Sequence, residues 1–250
     1  MVLVVDIGNS NIKLAIFQDD NLIERWKIVT SLEQNVEDYK NIFKHLLNIY
    51  KINTVVICSV VPQVTETVKK SLENFSNNIL IVGEKSVKTN LEIDKNIKRD
   101  LGQDIVADLV AGKSILNENF IIIDMGTATT INIVGNNGIF LGGVIIPGID
   151  SMVNSLAKCS QLYKFEITEQ NDITGSTTKD AMNGGIYWGY IGMLKEIIRK
   201  LKEKYNIEDI KVCLTGIRSD ILLRHLDFVD KVEKNLTLKG LNEIYKINRK

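Results

Sequence analysis

Two segments of the sequence carry the pattern Asp-x-Gly directly after an apolar run, and both are suited to bind phosphate. They are Asp6-Ile7-Gly8 and Asp124-Met125-Gly126. Glycine lets the backbone curl tightly because it has no Cβ, and successive amide hydrogens then point into one concavity that suits phosphate oxygens. The aspartates suit a hydrated cation, since Mg²⁺ keeps several waters and takes few carboxylates directly.

Polar side chains after each glycine add candidate phosphate ligands. Asn9 and Ser10 follow the first glycine, and Thr127 and Thr129 follow the second. Lys13 can reach the first turn and neutralise a transferred phosphoryl group, although a solvated strand lysine fits its position equally well. A single Asp-x-Gly after a strand is a common turn, so the repetition of the pattern is what favours a functional site.

The predicted elements around the two turns also repeat. Strand-like runs cover residues 2–5, 12–17 and 22–28 in the first half and 120–123, 131–134 and 139–146 in the second. Helices are predicted at 36–50, 64–75, 102–116 and 180–205, and further strands at 53–60, 79–82 and 210–216. Two copies of one unit predict an α/β fold with a duplicated mixed sheet and two domains, 1–116 and 117–250.

Composition and charge argue against several other functions. The chain has 250 residues with 31 basic and 31 acidic side chains, so no overall field favours nucleic acid or an acidic membrane. The first apolar run is too short for a signal peptide and no apolar stretch is long enough to span a membrane, so we expect a cytoplasmic protein. The three cysteines, Cys58, Cys159 and Cys213, are too far apart to predict a disulfide framework or a zinc site.

The two turns and their flanking residues resemble the phosphate motifs of the type III pantothenate kinases, members of the acetate and sugar kinase/Hsp70/actin superfamily. Residues 6–13 are similar to the first motif and residues 124–130 to the second. Further similar segments follow in order at 58–62, 101–104, 141–148 and 175–184. The resemblance covers nearly the whole chain and implies a duplicated ribonuclease H-like (actin-like ATPase) fold with two mixed β-sheets and flanking helices.

The resemblance also implies a reaction. It is the transfer of the ATP γ-phosphate to the primary hydroxyl of pantothenate, giving 4'-phosphopantothenate in the first step of coenzyme A biosynthesis, with Mg²⁺ and a monovalent cation, K⁺ or NH₄⁺. Asp104 would accept the hydroxyl proton, although an aspartate at this place could instead cap a helix. Asp6 would orient Mg²⁺ through water, and Asp124 would hold the monovalent cation.

The remaining roles come from the same resemblance. The implied ATP and phosphate contacts are Asp6, Gly8, Asn9, Ser10, Asn11, Lys13, Gly126, Thr127 and Thr129. The implied pantothenate contacts are Gly102, Gln103, Asp104, Ile105 and Thr178. The family also implies a homodimer joined through the helix at 180–205, although the apolar spacing of this helix fits a buried core helix equally well.

Three positions depart from the family pattern. Ile105 stands where the motif Gly-x-Asp-Arg has an arginine that would pair with the pantothenate carboxylate, a loss on the order of 2–5 kcal/mol if that carboxylate stays buried. Arg99 or Lys98 could substitute. Ile97 replaces a usual proline, and Ile217 replaces a second glycine near the nucleotide end of the site. Two alternatives therefore stay open: a kinase of another small hydroxyl compound, and a catalytically impaired binding or regulatory relative.

Overall fold

The computed structural model describes residues 1–97, 101–116, 119–159 and 165–249. In chain order the elements are β1 (Val2–Ile7), β2 (Asn11–Gln18), β3 (Asn21–Val29), α1 (Val36–Leu47), β4 (Thr54–Ser59), α2 (Pro62–Leu72), β5 (Ile79–Ile81), β6 (Glu92–Ile93), α3 (Gln103–Leu116), β7 (Phe120–Met125), β8 (Ala128–Val134), β9 (Ile139–Pro147), α4 (Ile149–Cys159), α5 (Thr178–Tyr205), β10 (Lys211–Gly216), α6 (Ser219–Leu222), β11 (Lys231–Val232) and α7 (Leu236–Asn248). Short 3₁₀ turns lie at Asn136–Gly138 and Leu223–His225.

The chain divides into two compact units. The first comprises Met1–Leu91, Lys98–Ile115 and Leu236–Lys250, and the second comprises Glu92–Ile97 and Leu116–Asn235. This grouping differs from the predicted boundary at residue 116, chiefly because α7 returns to the first unit. There its Leu238, Leu241 and Ile244 pack in a core with Val2 and Val4 of β1.

The first unit has a five-stranded mixed sheet in the order β3-β2-β1-β4-β5. All six residues of β1 are buried, as expected for a central strand covered on both faces. Strand alternation sends Leu3, Val5 and Ile7 to the face covered by α1 and α2. The opposite face, which holds Val2 and Val4, is covered by α3 and α7.

The second unit repeats this arrangement in its six-stranded sheet, ordered β11-β10-β7-β8-β9-β6. In the first unit Asp6 lies opposite Lys13 of β2 and Cys58 of β4. In the second, Asp124 takes the equivalent place opposite Thr130 of β8 and Thr215 of β10. The predicted duplicated mixed sheet is therefore confirmed, and the structure places the two aspartates at equivalent positions in it.

Helix α5 forms the main helical part of the second unit's core. Its buried face includes Tyr187, Tyr190, Ile191 and Leu194, which pack with β7, β8 and β10. The helix begins two residues before the predicted position 180 because the Thr177 hydroxyl caps it by accepting the Asp180 amide. Among the helices of the described residues, none is both long and apolar enough to cross a membrane.

Candidate active site

The first Asp-x-Gly turn is closed by its own backbone and held from one side by Thr30. The Gly8 amide donates to the Asn11 carbonyl at 3.0 Å, and the Thr30 amide donates to the Ser10 carbonyl at 3.1 Å. The Thr30 hydroxyl also donates to the Gly8 carbonyl at 2.7 Å. Thr30 immediately follows β3 and was not among the predicted site residues. The side chains of Asn9 and Ser10 are exposed at the tip of this turn.

Asp6 is nearly buried and contacts both neighbouring strands. Asp6 is only 5% exposed. Its Oδ2 nevertheless accepts a hydrogen bond from the Lys13 ammonium at 3.0 Å. Its Oδ1 accepts from the Cys58 thiol at 3.4 Å. Burial, followed by the negative charges of Asp6 and Asp104, raises the pKa of Cys58 well above its ordinary value, so Cys58 stays a protonated donor. Lys13 is thus an ion-pair partner at the turn rather than only a solvated strand residue.

Asp104 lies in the first turn of α3, within electrostatic reach of Asp6 and Lys13. Burial raises the pKa of its carboxyl, and the negative charge of Asp6 raises it further. The amide of Ile105, which donates to Asp104 Oδ1 at 2.8 Å, and the charge of Lys13 act in the opposite direction. The net result is a carboxyl with a raised pKa, which suits a group that accepts a proton near neutral pH.

Gly102 provides the space that the Asp104 carboxylate occupies. A Cβ at Gly102 would lie 2.5 Å from Asp104 Oδ1 and 3.7 Å from Val60 Cγ1. The Gly102 carbonyl accepts from the Val106 amide at 3.1 Å, which starts α3. A larger residue at 102 would therefore displace the Asp104 carboxylate.

Gln103 and Ile105, both predicted to contact pantothenate, have different surroundings. The end of the Gln103 side chain packs over Gly83, where an added Cβ would lie 2.8–2.9 Å from it. Its Nε2 donates to the Leu101 carbonyl at 3.3 Å, so Gln103 ties the start of α3 to the loop after β5. Ile105 is half-buried beside Asp104. The suggested substitutes Lys98 and Arg99 lie outside the described residues.

The second Asp-x-Gly turn is also closed by its own backbone, but it is one residue shorter than the first. The Gly126 amide donates to the Ala128 carbonyl at 3.1 Å, and Asp124 is half-buried at the end of β7. The Thr127 side chain is exposed. The Thr127 carbonyl accepts from the Gly148 amide at 3.1 Å and from the Ser151 hydroxyl at 2.7 Å, so the start of α4 is fastened to the turn.

Ile217 follows β10 beside this turn. Its amide donates to the Met125 carbonyl at 3.2 Å, while its side chain is 62% exposed. The preceding Gly216 has φ +100° and lies against the backbone of Met125, where a side chain has no room. An apolar side chain therefore projects from the position at which the family pattern has a glycine.

Thr129 lies in the core of the second unit. Its side chain is 0% exposed, and its hydroxyl oxygen accepts from the Tyr190 hydroxyl at 2.5 Å. Tyr190 also reaches the Pro147 carbonyl at 3.3 Å. The alternation of β8 turns Thr129 into the core, which the residue types of the motif alone do not reveal. Thr129 therefore supports the turn from within the second unit, and its contact with phosphate stays a prediction.

Thr178 is the first residue of α5 and is exposed. The loop before it is fixed to the helix because the Thr177 hydroxyl donates to Asp180 Oδ2 at 2.7 Å. Gly184 lets this loop approach, since a Cβ there would lie 2.8 Å from the Ile173 carbonyl oxygen. The exposed Thr178 side chain thus stands on a well-anchored helix start.

The donor set of both turns fits a weakly ligated, hydrated cation. Among the described residues no group of three or more His, Cys, Asp or Glu side chains is placed to hold a metal ion. Asp6 and Asp124 each offer one carboxylate next to a phosphate-type turn. Mg²⁺ bound mainly by water and substrate phosphate is compatible with such sites.

Similar solved structures define the fold class. A protein described as a Baf family transcriptional activator from Campylobacter jejuni is 24% identical and superposes with a TM-score of 0.65, covering 98% of both chains. A protein described as an N-acetylmannosamine kinase from Listeria monocytogenes gives 0.54 at 12% identity, covering 99% of both chains. MreB5 of Spiroplasma citri bound to ADP gives 0.53 at 12% identity, covering 98% of this chain and 96% of that one. The fold is that of the actin-like ATPases and sugar kinases, as predicted.

Sequence comparison identifies the family. A family model for type III pantothenate kinase matches residues 2–200. The type III pantothenate kinase of Geobacillus kaustophilus is 34% identical over 99% of this chain and 98% of its own length. That of Agathobacter rectalis is 33% identical over 100% of this chain and 99% of its own length. The chain belongs to the type III pantothenate kinase family, and the predicted kinase class is confirmed.

Proposed function

We propose that this chain transfers the γ-phosphate of ATP to pantothenate, forming 4'-phosphopantothenate in coenzyme A biosynthesis. Family membership supports the reaction. The structural observation that carries it is the arrangement in the first unit, where Asp104, with its raised pKa, lies within the electrostatic influence of the Asp6–Lys13 ion pair. Phosphoryl transfer needs a positioned proton acceptor and charge neutralisation, and these three side chains provide both.

Asp104 is the proposed base. Its carboxylate takes the proton of the primary hydroxyl as that oxygen attacks the γ-phosphorus, and the bond from the γ-phosphorus to the bridging oxygen breaks to release ADP. The Ile105 amide fixes one carboxylate oxygen at 2.8 Å, and Gly102 leaves room for it. The carboxylate is therefore held in one orientation before substrate arrives, which lowers the entropic cost of reaching the reactive geometry.

The two turns and Lys13 are the proposed phosphate ligands. Gly8, Asn9, Ser10 and Asn11 form the first turn, and Gly126 and Thr127 belong to the second. Lys13 neutralises the transferred group while Asp6 holds its ammonium at 3.0 Å. Mg²⁺ bound through water at Asp6 would neutralise phosphate charge. K⁺ or NH₄⁺ would be held at Asp124.

Three further residues complete the proposed pantothenate contacts. Gly102 brings backbone close to the substrate, Ile105 offers an apolar surface beside the base, and Thr178 offers an exposed hydroxyl. Gln103 contributes indirectly, because its side chain holds the start of α3 against Gly83 and Leu101. A location in the cytoplasm remains a prediction from the sequence.

A homodimer formed through α5 is also part of the proposal. The helix buries one face in its own core, but its other face carries exposed Gly185, Gly189 and Gly192. A Cβ added at any of these three glycines meets nothing within 4 Å, so no contact within the described chain explains them. Exposed glycines at this spacing permit close approach of a second helix, although each costs about 1 kcal/mol of helix stability relative to alanine.

A product assay tests the reaction and the base together. The wild type and Asp104→Asn are incubated with ATP, Mg²⁺, K⁺ and pantothenate, and 4'-phosphopantothenate is measured by mass spectrometry. We expect product from the wild type and at least about 100-fold less from the variant, since general-base catalysis contributes roughly 10²–10⁴-fold. Equal product from both proteins would refute the role of Asp104, and circular dichroism establishes that the variant is folded.

Ile105 supports one second candidate, a kinase of another small hydroxyl compound. An isoleucine cannot pair with a carboxylate, so we compare pantothenate with pantothenol, which carries a hydroxyl where pantothenate has its carboxylate. Similar KM values for both would favour the broader substrate class. Pantothenate recognised through its carboxylate should instead have the lower KM. Ile105→Arg should then lower the KM of pantothenate alone if no other residue already makes that contact.

A further inference from the structure

The C-terminal helix α7 packs directly on the helix that carries Asp104. Leu238 and Leu241 of α7 share one core with Val106, Ala107 and Val110 of α3, on the sheet face of Val2 and Val4. Asp6 continues the alternation of Val2 and Val4, so α3 and α7 cover the same face that ends at Asp6. Helix α7 lies beyond residue 200, where the match to the family model stops.

The closest approach of the two helices is at Gly240. A Cβ at this position would collide with the backbone of Ala107, lying 2.6 Å from its carbonyl carbon and nearer still to its oxygen. Backbone cannot move aside as the end of a flexible side chain can. Gly240 therefore fixes how closely α7 approaches α3, and any larger residue at 240 would force the helices apart.

A buried polar contact lies one helical turn away from this approach. The Thr237 hydroxyl donates to Asp108 Oδ1 at 2.7 Å, and Asp108 is only 2% exposed. Thr237 belongs to the first turn of α7, where a negative charge is favoured by the exposed amides of the helix start. The buried Asp108 carboxylate would be costly without a hydrogen-bond donor such as Thr237. This contact therefore restricts the rotation of α3, while Gly240 sets the distance of α3 from α7.

Asp104, the proposed base, lies on the same helix as the residues that contact α7. Asp104 precedes Ala107 and Asp108 by one turn of α3, so a displacement at these two residues is transmitted to Asp104 through continuous helix. The Asp104 carboxylate lies in the space that a Cβ at Gly102 would fill, and its pKa is influenced by Asp6 and Lys13. Small movements of α3 therefore change both the position of Asp104 and its surroundings.

We propose that α7 positions the catalytic carboxylate, with Thr237 acting through Asp108 and Gly240 acting through the Ala107 backbone. The proposal rests on the proposed role of Asp104. We assign no substrate contact to Thr237 or Gly240; both are positioning residues that act through α3. Helix α7 therefore supports the proposed active site, although it lies far from both phosphate motifs in sequence.

The test compares Thr237→Val, Thr237→Ser and Lys246→Gln in the full chain. Valine keeps the shape of threonine but removes the donor, and serine restores it. Lys246, also on α7, contacts Asp20 and Glu243. We expect Thr237→Val to lower kcat about 10- to 100-fold, because a misplacement of about 1 Å costs that much in rate. The KM for ATP should change little, and Thr237→Ser and Lys246→Gln should behave as the wild type.

The pH profile and hydrogen exchange separate positioning from a loss of stability. In Thr237→Val a loosened α3 would admit water to Asp104, and burial would then raise the pKa of Asp104 less. The fall of kcat at acidic pH should therefore begin at a lower pH than in the wild type. Amides of residues 103–108 should exchange faster while the exchange of β1 is unchanged. Gly240→Ala provides a second variant with the same expected signature if Thr237→Val does not fold.

Failure of the proposed function and failure of the positioning role of α7 give different results. A wild type without pantothenate-dependent turnover contradicts the proposed function, whatever the variants do. An active wild type whose Thr237→Val and Gly240→Ala forms keep its kcat, acid limb and exchange pattern contradicts the positioning role of α7. A fall in kcat that Thr237→Ser does not restore also contradicts it, since the hydroxyl would then not be the cause.

Discussion

Asp104 is the residue at which burial and two opposite charges meet. Its pKa is raised chiefly by burial, further by Asp6, and lowered by Lys13 and by the Ile105 amide. A carboxyl with a raised pKa becomes protonated at higher pH than an ordinary aspartate. Activity that needs the carboxylate is therefore lost as the pH falls through this raised pKa, earlier than for an unperturbed side chain.

Substitutions at Asp6 and Lys13 should move the pKa of Asp104 in opposite directions. Asp6→Asn removes a negative charge and should lower the pKa, whereas Lys13→Met removes a positive charge and should raise it. Carbon-13 NMR of the aspartate carboxyls measures this without any need for activity. Shifts of the same sign in both variants would contradict the arrangement.

Thr30 holds the first phosphate turn through two backbone carbonyls. Thr30→Val removes the hydroxyl contact to Gly8 and should raise the KM for ATP about 5-fold, the equivalent of one hydrogen bond of about 1 kcal/mol. Thr30→Ser should retain the wild-type KM. A steady-state ATP titration checks both, and a valine variant with unchanged KM would show that the turn holds its shape without this contact.

The sequence indicated the proposed catalytic residues but not the residues that contact and support them. Asp6, Lys13 and Asp104 were predicted from two turns and a family resemblance, and the structure groups them by charge and contact. Thr30, Asp108 and Thr237 were missed because each acts through a partner distant in sequence. Thr30 precedes the loop to α1 with no motif of its own, and only the register of β2 with β3 reveals that it reaches Gly8.

At the level of elements, strands with clear apolar runs and the helices α1, α2, α3 and α5 were predicted, whereas α4, α6 and α7 were not. Strands β1, β4, β7 and β10 were expected from β-branched runs and were found. Helix α7 has apolar residues at helical spacing, Leu238, Leu241 and Tyr245, so its presence could have been predicted. Its partner could not, because a local pattern does not specify which of two similar sheets an amphipathic helix will cover.

The start of α4 is fixed to the second turn by a glycine. A Cβ at Gly148 would lie 2.6 Å from the Thr127 carbonyl oxygen and 2.9 Å from its carbon. Gly148→Ala should therefore destabilise the protein by about 1–3 kcal/mol and raise the KM for ATP, because α4 and the turn must separate.

Thermal unfolding and an ATP titration measure these two effects of Gly148→Ala. Ser155→Ala, at an exposed position of α4, is the control. A Gly148→Ala protein as stable and as active as this control would contradict the close packing of α4 on the turn.

At the level of the whole molecule, the chain repeats one sheet arrangement and adds an exposed glycine face on α5. Gly189→Leu should leave each chain folded, because space surrounds the position. It should shift the mass measured by light scattering from twice 28.2 kDa towards 28.2 kDa. Lys204→Leu, in the last turn of the same helix, is the control. A dimer that persists in Gly189→Leu would place the interface elsewhere.

The decisive measurement for the proposed reaction is whether ADP release requires pantothenate. Purified protein is given ATP, Mg²⁺ and either K⁺ or Na⁺, and ADP release is followed with and without pantothenate. We expect ADP release to depend on pantothenate and to be faster with K⁺ than with Na⁺. ADP release at the same rate with and without pantothenate, or ATP binding without any turnover, would contradict it.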